Sequence, residues 1–174
     1  VEQLRLEYSG ENRLKKALRI VNRIILKNPL MPFINANKFA IKLAIKKKQD
    51  RDIILIALLN SAFPFSYDVL KIFGKYFAVQ EIINTETVKK SISNIYGGNR
   101  ATENGIYSVV PIFLEAGFFR RPKQGIYQFD KTNQPYHEVT LKIYIESFKV
   151  NQPLSLTYID ELNPYFQFIT FEKI

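Results

Sequence analysis

Two apolar stripes of helical period, parted by a glycine pair and followed at once by a hairpin signal, constrain this chain more than anything else in it. The stretch is INTETVKKSISNIYGGNRATENGIYSVVPIFLEAGFFRRPKQGIYQFD, from Ile83 to Asp130. Val88, Ile92, Ile95 and Tyr96 recur at helical spacing. Asn84 or Thr85 can open that helix, because a short oxygen-bearing side chain accepts an orphan N–H of the first turn. Glu86 lies where the helix dipole favours an anion. Gly97 and Gly98 end the helix, since glycine enters the left-handed region at little steric cost. A second helix begins near Asn99 or Arg100 and buries Ile106, Val109, Val110, Phe113 and Leu114. Pro111 interrupts it: proline has no N–H and its ring crowds the carbonyl of Tyr107, which predicts a kink or a helix start nearer Gly105. After Gly117, Phe118, Phe119 and Arg120 start a strand. Pro122-Lys123-Gln124-Gly125 turns the chain, and Ile126 to Phe129 return.

The polar residues of this stretch collect in two places. Asn99, Arg100, Thr102, Glu103 and Asn104 open the second helix and point away from its apolar stripe. Arginine can bond guanine bidentately and asparagine can bond adenine. Gly105 removes a side chain at a point where the backbone is expected to approach a phosphate. Arg120, Arg121 and Lys123 crowd the hairpin tip, and cations there suit phosphate contact, which sets register on a duplex. Tyr96, Tyr107 and Tyr127 sit near these elements and can stack on bases, although packing at the core edge is the more common use of such rings.

The segment SVVPIFLEAGFFRRPKQGIYQF resembles the recognition helix and wing of winged helix-turn-helix DNA-binding domains, a resemblance that covers roughly a quarter of the chain. The wider layout, with helices first and the wing late, is similar to the BrxA family of BREX phage-defence systems. The resemblance implies double-stranded DNA as partner, with Arg100, Thr102 and Asn104 reading the groove. Winged helices also serve as protein–protein modules.

Charge adds a second region. Residues 1–50 hold 12 Lys and Arg against 4 Asp and Glu, a net of +8, whereas residues 51–174 hold 13 against 12. A concentrated basic region is the electrostatic footprint of a polyanion partner, though lysines on a solvated helix face are common. Ser9 opens a helix to about Lys27, with Leu14, Ala17, Leu18, Val21, Ile24 and Ile25 inward. Asn28-Pro29 stops it. A second basic helix covers about Ala36 to Lys48, with Phe39, Ala40, Leu43 and Ala44 inward. Lys15, Lys16, Lys46, Lys47 and Lys48 are the cations expected to extend contact along a phosphate backbone.

The remaining segments complete a mainly α fold: a helical N-terminal region plus a winged helix-turn-helix with a small β-hairpin. The expected parts are residues 1–64, 65–130 and 131–174. DIILIALLNSAF is apolar on every side and predicts a central buried helix, too short to span a membrane. Pro64 ends it, and Ser66 caps the next helix, which turns Val69, Leu70, Phe73 and Phe77 inward while Gly74 permits a close crossing. HEVTLKIYIESFKVNQ alternates like a strand and also fits a helix; its length favours the helix. The tail NPYFQFITF is too aromatic to be free, and packs back on the core as a short strand or docks on a partner.

The chemistry is read mostly by absence. There is no cysteine, hence no disulfide, thiol nucleophile or cysteine-bound zinc. His137 is the sole histidine, no G-x-S-x-G turn presents a serine, and no His pair or acidic cluster has metal-ligand spacing. No glycine-rich phosphate loop and no E-x-K triplet occur. No cofactor or metal is expected, and no signal peptide is apparent, which suits a cytoplasmic protein. The chain begins at Val1, as a piece of a longer protein would. The readings that remain are a non-catalytic DNA-binding protein, a protein–protein adaptor built on a winged helix, and the DNA-recognition fragment of a larger restriction-type enzyme.

Overall fold

The computed structural model describes residues 5–6, 10–130, 134–152 and 162–170. It is mainly helical with one small antiparallel sheet. In chain order the elements are α1 (Glu11–Ile25), α2 (Met31–Ala36), α3 (Lys38–Ala44), α4 (Lys48–Ala62), α5 (Pro64–Phe77), β1 (Ile82–Asn84), α6 (Thr85–Tyr96), α7 (Arg100–Glu115), β2 (Arg120–Lys123), β3 (Ile126–Gln128) and α8 (Glu138–Asn151). A 3-10 turn, Pro164–Phe166, closes the described chain.

Helix α4 is the hub. Ile53, Ile54, Ile56, Ala57, Leu58 and Leu59 are all buried, and the helix packs on α1, α5 and, most extensively, α8. Apolar residues all round are the sequence mark of such a helix. Pro64 separates α4 from α5 but also starts α5 at a position where its missing N–H is harmless. The two helices bend by 120° at that break. Among the described residues no single helix is long and apolar enough to cross a membrane.

Ser66, expected as a cap, is instead a fully buried residue inside α5 whose hydroxyl donates to Asn60 Oδ1 at 2.6 Å. The N-cap is Phe63, without a side-chain bond. Proline at the first helical position moved the start of the helix upstream of the serine. The predicted capping serine of α1, Ser9, lies outside the described residues; Gly10 occupies the N-cap of α1.

Of the expected basic helix over residues 36–48, only Lys38–Ala44 forms a helix of its own, α3; Asn37 parts it from α2 (Met31–Ala36), and Lys48 already opens α4. Asn37 Nδ2 donates to the Phe33 carbonyl at 2.9 Å, and its own N–H serves Phe33 and Ile34. Ala44 is buried as expected, but the other inward positions shift: Ile41 is buried, while Phe39 is 77% exposed and Leu43 43% exposed. The seven-residue helix is too short to turn a full stripe inward.

Three strands form a sheet in the order β1-β3-β2. Ile83 pairs with Tyr127, and both are buried. Strand β1, three residues long, carries no strand signal of its own. Its pairing with β3, together with the Thr85 N–H donated to the Gly125 carbonyl at 2.9 Å, fixes the hairpin against the start of α6. Pro122 sits in β2, an edge strand, where a missing N–H costs no ladder bond.

The C-terminal aromatics pack inward, as a 3-10 turn rather than a strand. Tyr165, Phe166, Phe168 and Ile169 are buried. Phe168 stacks on Phe118 at 5.1 Å, and Tyr144 stacks on Tyr165 at 4.5 Å. The Tyr165 hydroxyl bonds Ser147 Oγ at 2.6 Å and accepts from Asn60 Nδ2 at 3.0 Å. These rings are therefore spent inside the chain's own core.

Burial raises the phenols of Tyr67 and Tyr144, and pushes Tyr165 up to about 12. In the unfolded chain all three would ionise near pH 10. Folding therefore favours the protonated forms. The stability they contribute is complete below about pH 10 and is lost as pH rises toward 12. Alkaline titration is expected to show tyrosinate absorbance and loss of helical circular dichroism rising together. Smooth titration of all ten tyrosines with the helices intact would contradict the buried cluster.

Candidate nucleic-acid interface

Helix α7 starts where its cap chemistry places it. The Asn99 side chain accepts the Thr102 N–H at 3.0 Å, and Asn84 does the same for Glu86 N at the head of α6, at 2.8 Å. Gly97, at φ +85, supplies the left-handed residue between the two helices. Pro111 does not displace the start: α7 runs unbroken from Arg100 through it. Pro111 lies on the exposed side of α7, where a carbonyl left without its N–H partner can bond water instead.

Two residues expected to read a base therefore do other work. Thr102 is 5% exposed, with Oγ1 3.4 Å from both the Tyr96 carbonyl and Asn99 Oδ1. Asn99 and Thr102 hold the interhelical turn closed. Gly105 likewise faces the protein: a Cβ there would come within 2.7 Å of the Phe65 ring. Its missing side chain admits an aromatic ring rather than a phosphate.

Arg100 and Asn104 are exposed, and the spacing 100, 104, 107, 111 puts both on one stripe of α7 with Tyr107 and Pro111. Tyr107 is 61% exposed. The stripe runs into a concavity of about 280 Å³ that Lys89, Tyr107, Pro111, Arg121, Gln124 and Tyr127 help to line. Three elements meet there: the first turns of α6, the outer face of α7 and the hairpin.

Lys89 was not singled out from the sequence. Its ammonium lies 5.3 Å from the centre of the Tyr107 ring and 3.2 Å from Glu86 Oε1. Hydrogen bonding to Tyr107 and then to Glu86 raises its pKa, so it stays cationic. The Lys89-Lys90 pair on a helix with a narrow buried face was the available signal. The other two tyrosines are committed elsewhere. Tyr127 is buried, and Tyr96 donates to Asp68 and packs edge-on against Phe65 at 4.9 Å.

The hairpin cations divide. Arg121 is exposed over the Tyr127 ring at 5.8 Å, and Lys123 is exposed at the end of β2. Arg120 sits at the hairpin base in an ion pair with Asp130 at 2.6 Å. That guanidinium holds the Asp130 carboxyl below its usual range, and Arg120 is correspondingly less free for a phosphate.

The N-terminal cations lie elsewhere. Lys15 and Lys16 are exposed on α1, which packs on α4. Lys48 reaches Asp52 at 2.6 Å and the Glu115 carbonyl at 3.3 Å. It thus marks the C-terminal end of α7, about 22 Å of helix rise from Arg100. Lys46 and Lys47 adjoin it in the α3–α4 link. Lys46, Lys47 and Lys48 thus lie toward the C-terminal end of α7, away from Arg100.

Neither protein-family models, curated proteins nor solved structures yield a match to this chain. Among the described residues no group of three or more His, Cys, Asp or Glu side chains is placed to hold a metal ion. The backbone N–H of His137 donates to Asp50 Oδ1 at 2.8 Å at the head of α8.

Proposed function

We propose that this protein binds double-stranded DNA without catalysing a reaction. The outer stripe of α7 enters the major groove and the hairpin lies against flanking phosphates. One observation carries this: Arg100, Asn104 and Tyr107 share a stripe that opens into the same concavity as Lys89 and Arg121. The order α5, β1, α6, α7, β2, β3 is the one a winged helix uses, with β1 pinning the wing to the second helix. Arg100 and Asn104 carry the side-chain chemistry for base edges, while Lys89, Arg121 and Lys123 carry charge for the backbone. Lys46 to Lys48, at the far end of α7, suit only a duplex long enough to continue past the recognition contacts. A regulator, or the DNA-holding component of a phage-defence assembly of the BREX kind, would need this property.

Duplex affinity at two salt concentrations tests the proposal. Three to five neutralised phosphates give a log–log slope of about −3 to −4.5. Between 50 and 200 mM salt the affinity then falls by roughly two orders of magnitude. No binding to any duplex at the lower concentration, or a slope near zero, would overturn it.

A further inference from the structure

The N-terminal helices enclose a second surface whose apolar floor the DNA proposal does not use. Ile25, Met31, Ile34, Ile45, Leu55 and Leu58 line a groove of about 340 Å³ between α1, α2, α3 and α4. Its walls are aliphatic apart from Arg51. Ile25 is 41% exposed and Leu55 46%. Beside it Leu26 is 69% exposed. The sequence predicted Val21 and Ile25 on a buried face, but only Leu14 of α1 is buried. Contiguous exposed apolar surface of this kind marks a binding groove.

The one charged residue in its lining is Arg51, and the residues that adjoin the lining in sequence are basic. Lys27 follows Leu26, and Lys46 and Lys47 follow Ile45. No acidic residue occurs between Glu11 and Asp50. Asp52 lies 4.0 Å from Arg51, but its carboxylate is already held by Lys48 at 2.6 Å. An aliphatic floor inside a cationic rim complements one chemistry in particular: a helix with an aliphatic stripe and carboxylates on both flanks.

We propose that this groove takes an acidic amphipathic helix of a partner protein, with aliphatic anchors at i, i+3 or i+4 and i+7. A phosphodiester backbone cannot occupy it, because charged phosphates would lose water against isoleucine and leucine without compensation. A second copy of the chain is disfavoured by charge, since two basic faces would be pressed together. Lipid is disfavoured by shape, because a concave groove between helices does not lie flat on a bilayer.

Met31 is the only methionine, so methyl-labelled methionine places a single NMR reporter in the groove wall. The probe is a fluorescein-labelled synthetic helix with leucine at the anchor spacing and glutamate on both flanks. Its control carries lysine in place of glutamate. With the full chain, the acidic probe is expected to bind at least about 30-fold more tightly than the basic one and to shift the Met31 methyl. Leu55→Asp, at a half-exposed position, is expected to weaken the acidic probe at least tenfold while leaving the circular dichroism unchanged. Arg51→Glu, a second variant that does not test packing, should narrow the preference for the acidic probe. Arg121→Ala should leave probe binding as it is. The proposal is overturned if neither probe moves the Met31 methyl or if both bind alike. It is equally overturned if a DNA duplex moves that methyl as the acidic probe does, or if sedimentation shows a dimer that Leu55→Asp dissociates.

Discussion

Replacing Arg100, Arg121 and Lys123 together with alanine is expected to weaken duplex DNA binding by roughly a thousandfold, on the order of 4 kcal/mol. Under the proposed mode Arg100 is expected to be the largest single contributor. It is exposed at the first position of α7, and a bidentate arginine–guanine contact is worth about 1–3 kcal/mol. In the proposed binding mode Arg121 and Lys123 meet phosphates, so losing both should also flatten the log–log salt slope by about 1.8. Arg120 provides the internal comparison. Its guanidinium is already paired with Asp130 at 2.6 Å, so Arg120→Ala should cost clearly less than Arg121→Ala. All three positions are exposed, and the triple variant should keep its helical content and melting temperature. Wild-type affinity in the triple variant would remove α7 and the hairpin from the interface.

The second large effect is on stability. Gly74→Ala is expected to cost about 3 kcal/mol or more, which lowers the melting temperature by roughly 6–12 °C for a chain of this size. A Cβ at Gly74 would stand 1.8 Å from the Pro164 carbonyl oxygen and 2.8 Å from its carbon. Both are backbone atoms, so no rotamer change relieves the clash and the 3-10 turn must move off α5. Tyr165 and Phe166 then leave the core, and the Tyr165 hydroxyl gives up its bonds to Asn60 and Ser147. The better helix propensity of alanine returns only about 1 kcal/mol. Gly98→Ala is the control: its nearest atom is Ser93 Cβ at 3.9 Å, and the change should stay within about 0.5 kcal/mol. A Gly74→Ala protein that melts with the wild type would mean that the turn does not pack as described. DNA affinity measured below the transition should be little altered, since Gly74 is remote from the α7 stripe in role.

Much of the fold was legible in the residues. The glycines at 97 and 117 ended helices at positive φ, Asn84 and Asn99 capped the helices they precede, and the all-round apolar segment became the central helix. The candidate interface was legible only in part. Asn99 and Thr102 had the composition of base-reading residues, yet the orphan N–H groups at the head of α7 claimed Asn99 and burial claimed Thr102. The same short oxygen-bearing side chains serve caps and base edges, so sequence alone leaves the two uses open. Lys89 escaped notice because its role depends on Tyr107, eighteen positions later.

What the sequence determined by itself was local: the helix ends at Gly97 and Gly117, a hairpin turn that closes at Gly125, the apolar faces of α5 and α7, and the basic bias of the first fifty residues. Each follows from forces acting between residues a few positions apart, such as dihedral sterics, capping bonds and the period of the apolar stripe. Only the tertiary structure decided that β1 pairs with β3, that Gly74 receives Pro164, that Arg120 is spent on Asp130, and that Lys48 lies at the wrong end of α7 to join Arg100. It also left Ile25 and Leu55 facing an open groove. Those outcomes depend on which surfaces meet when distant segments pack, and packing is decided by shape and by competing partners far along the chain, which a local pattern does not encode.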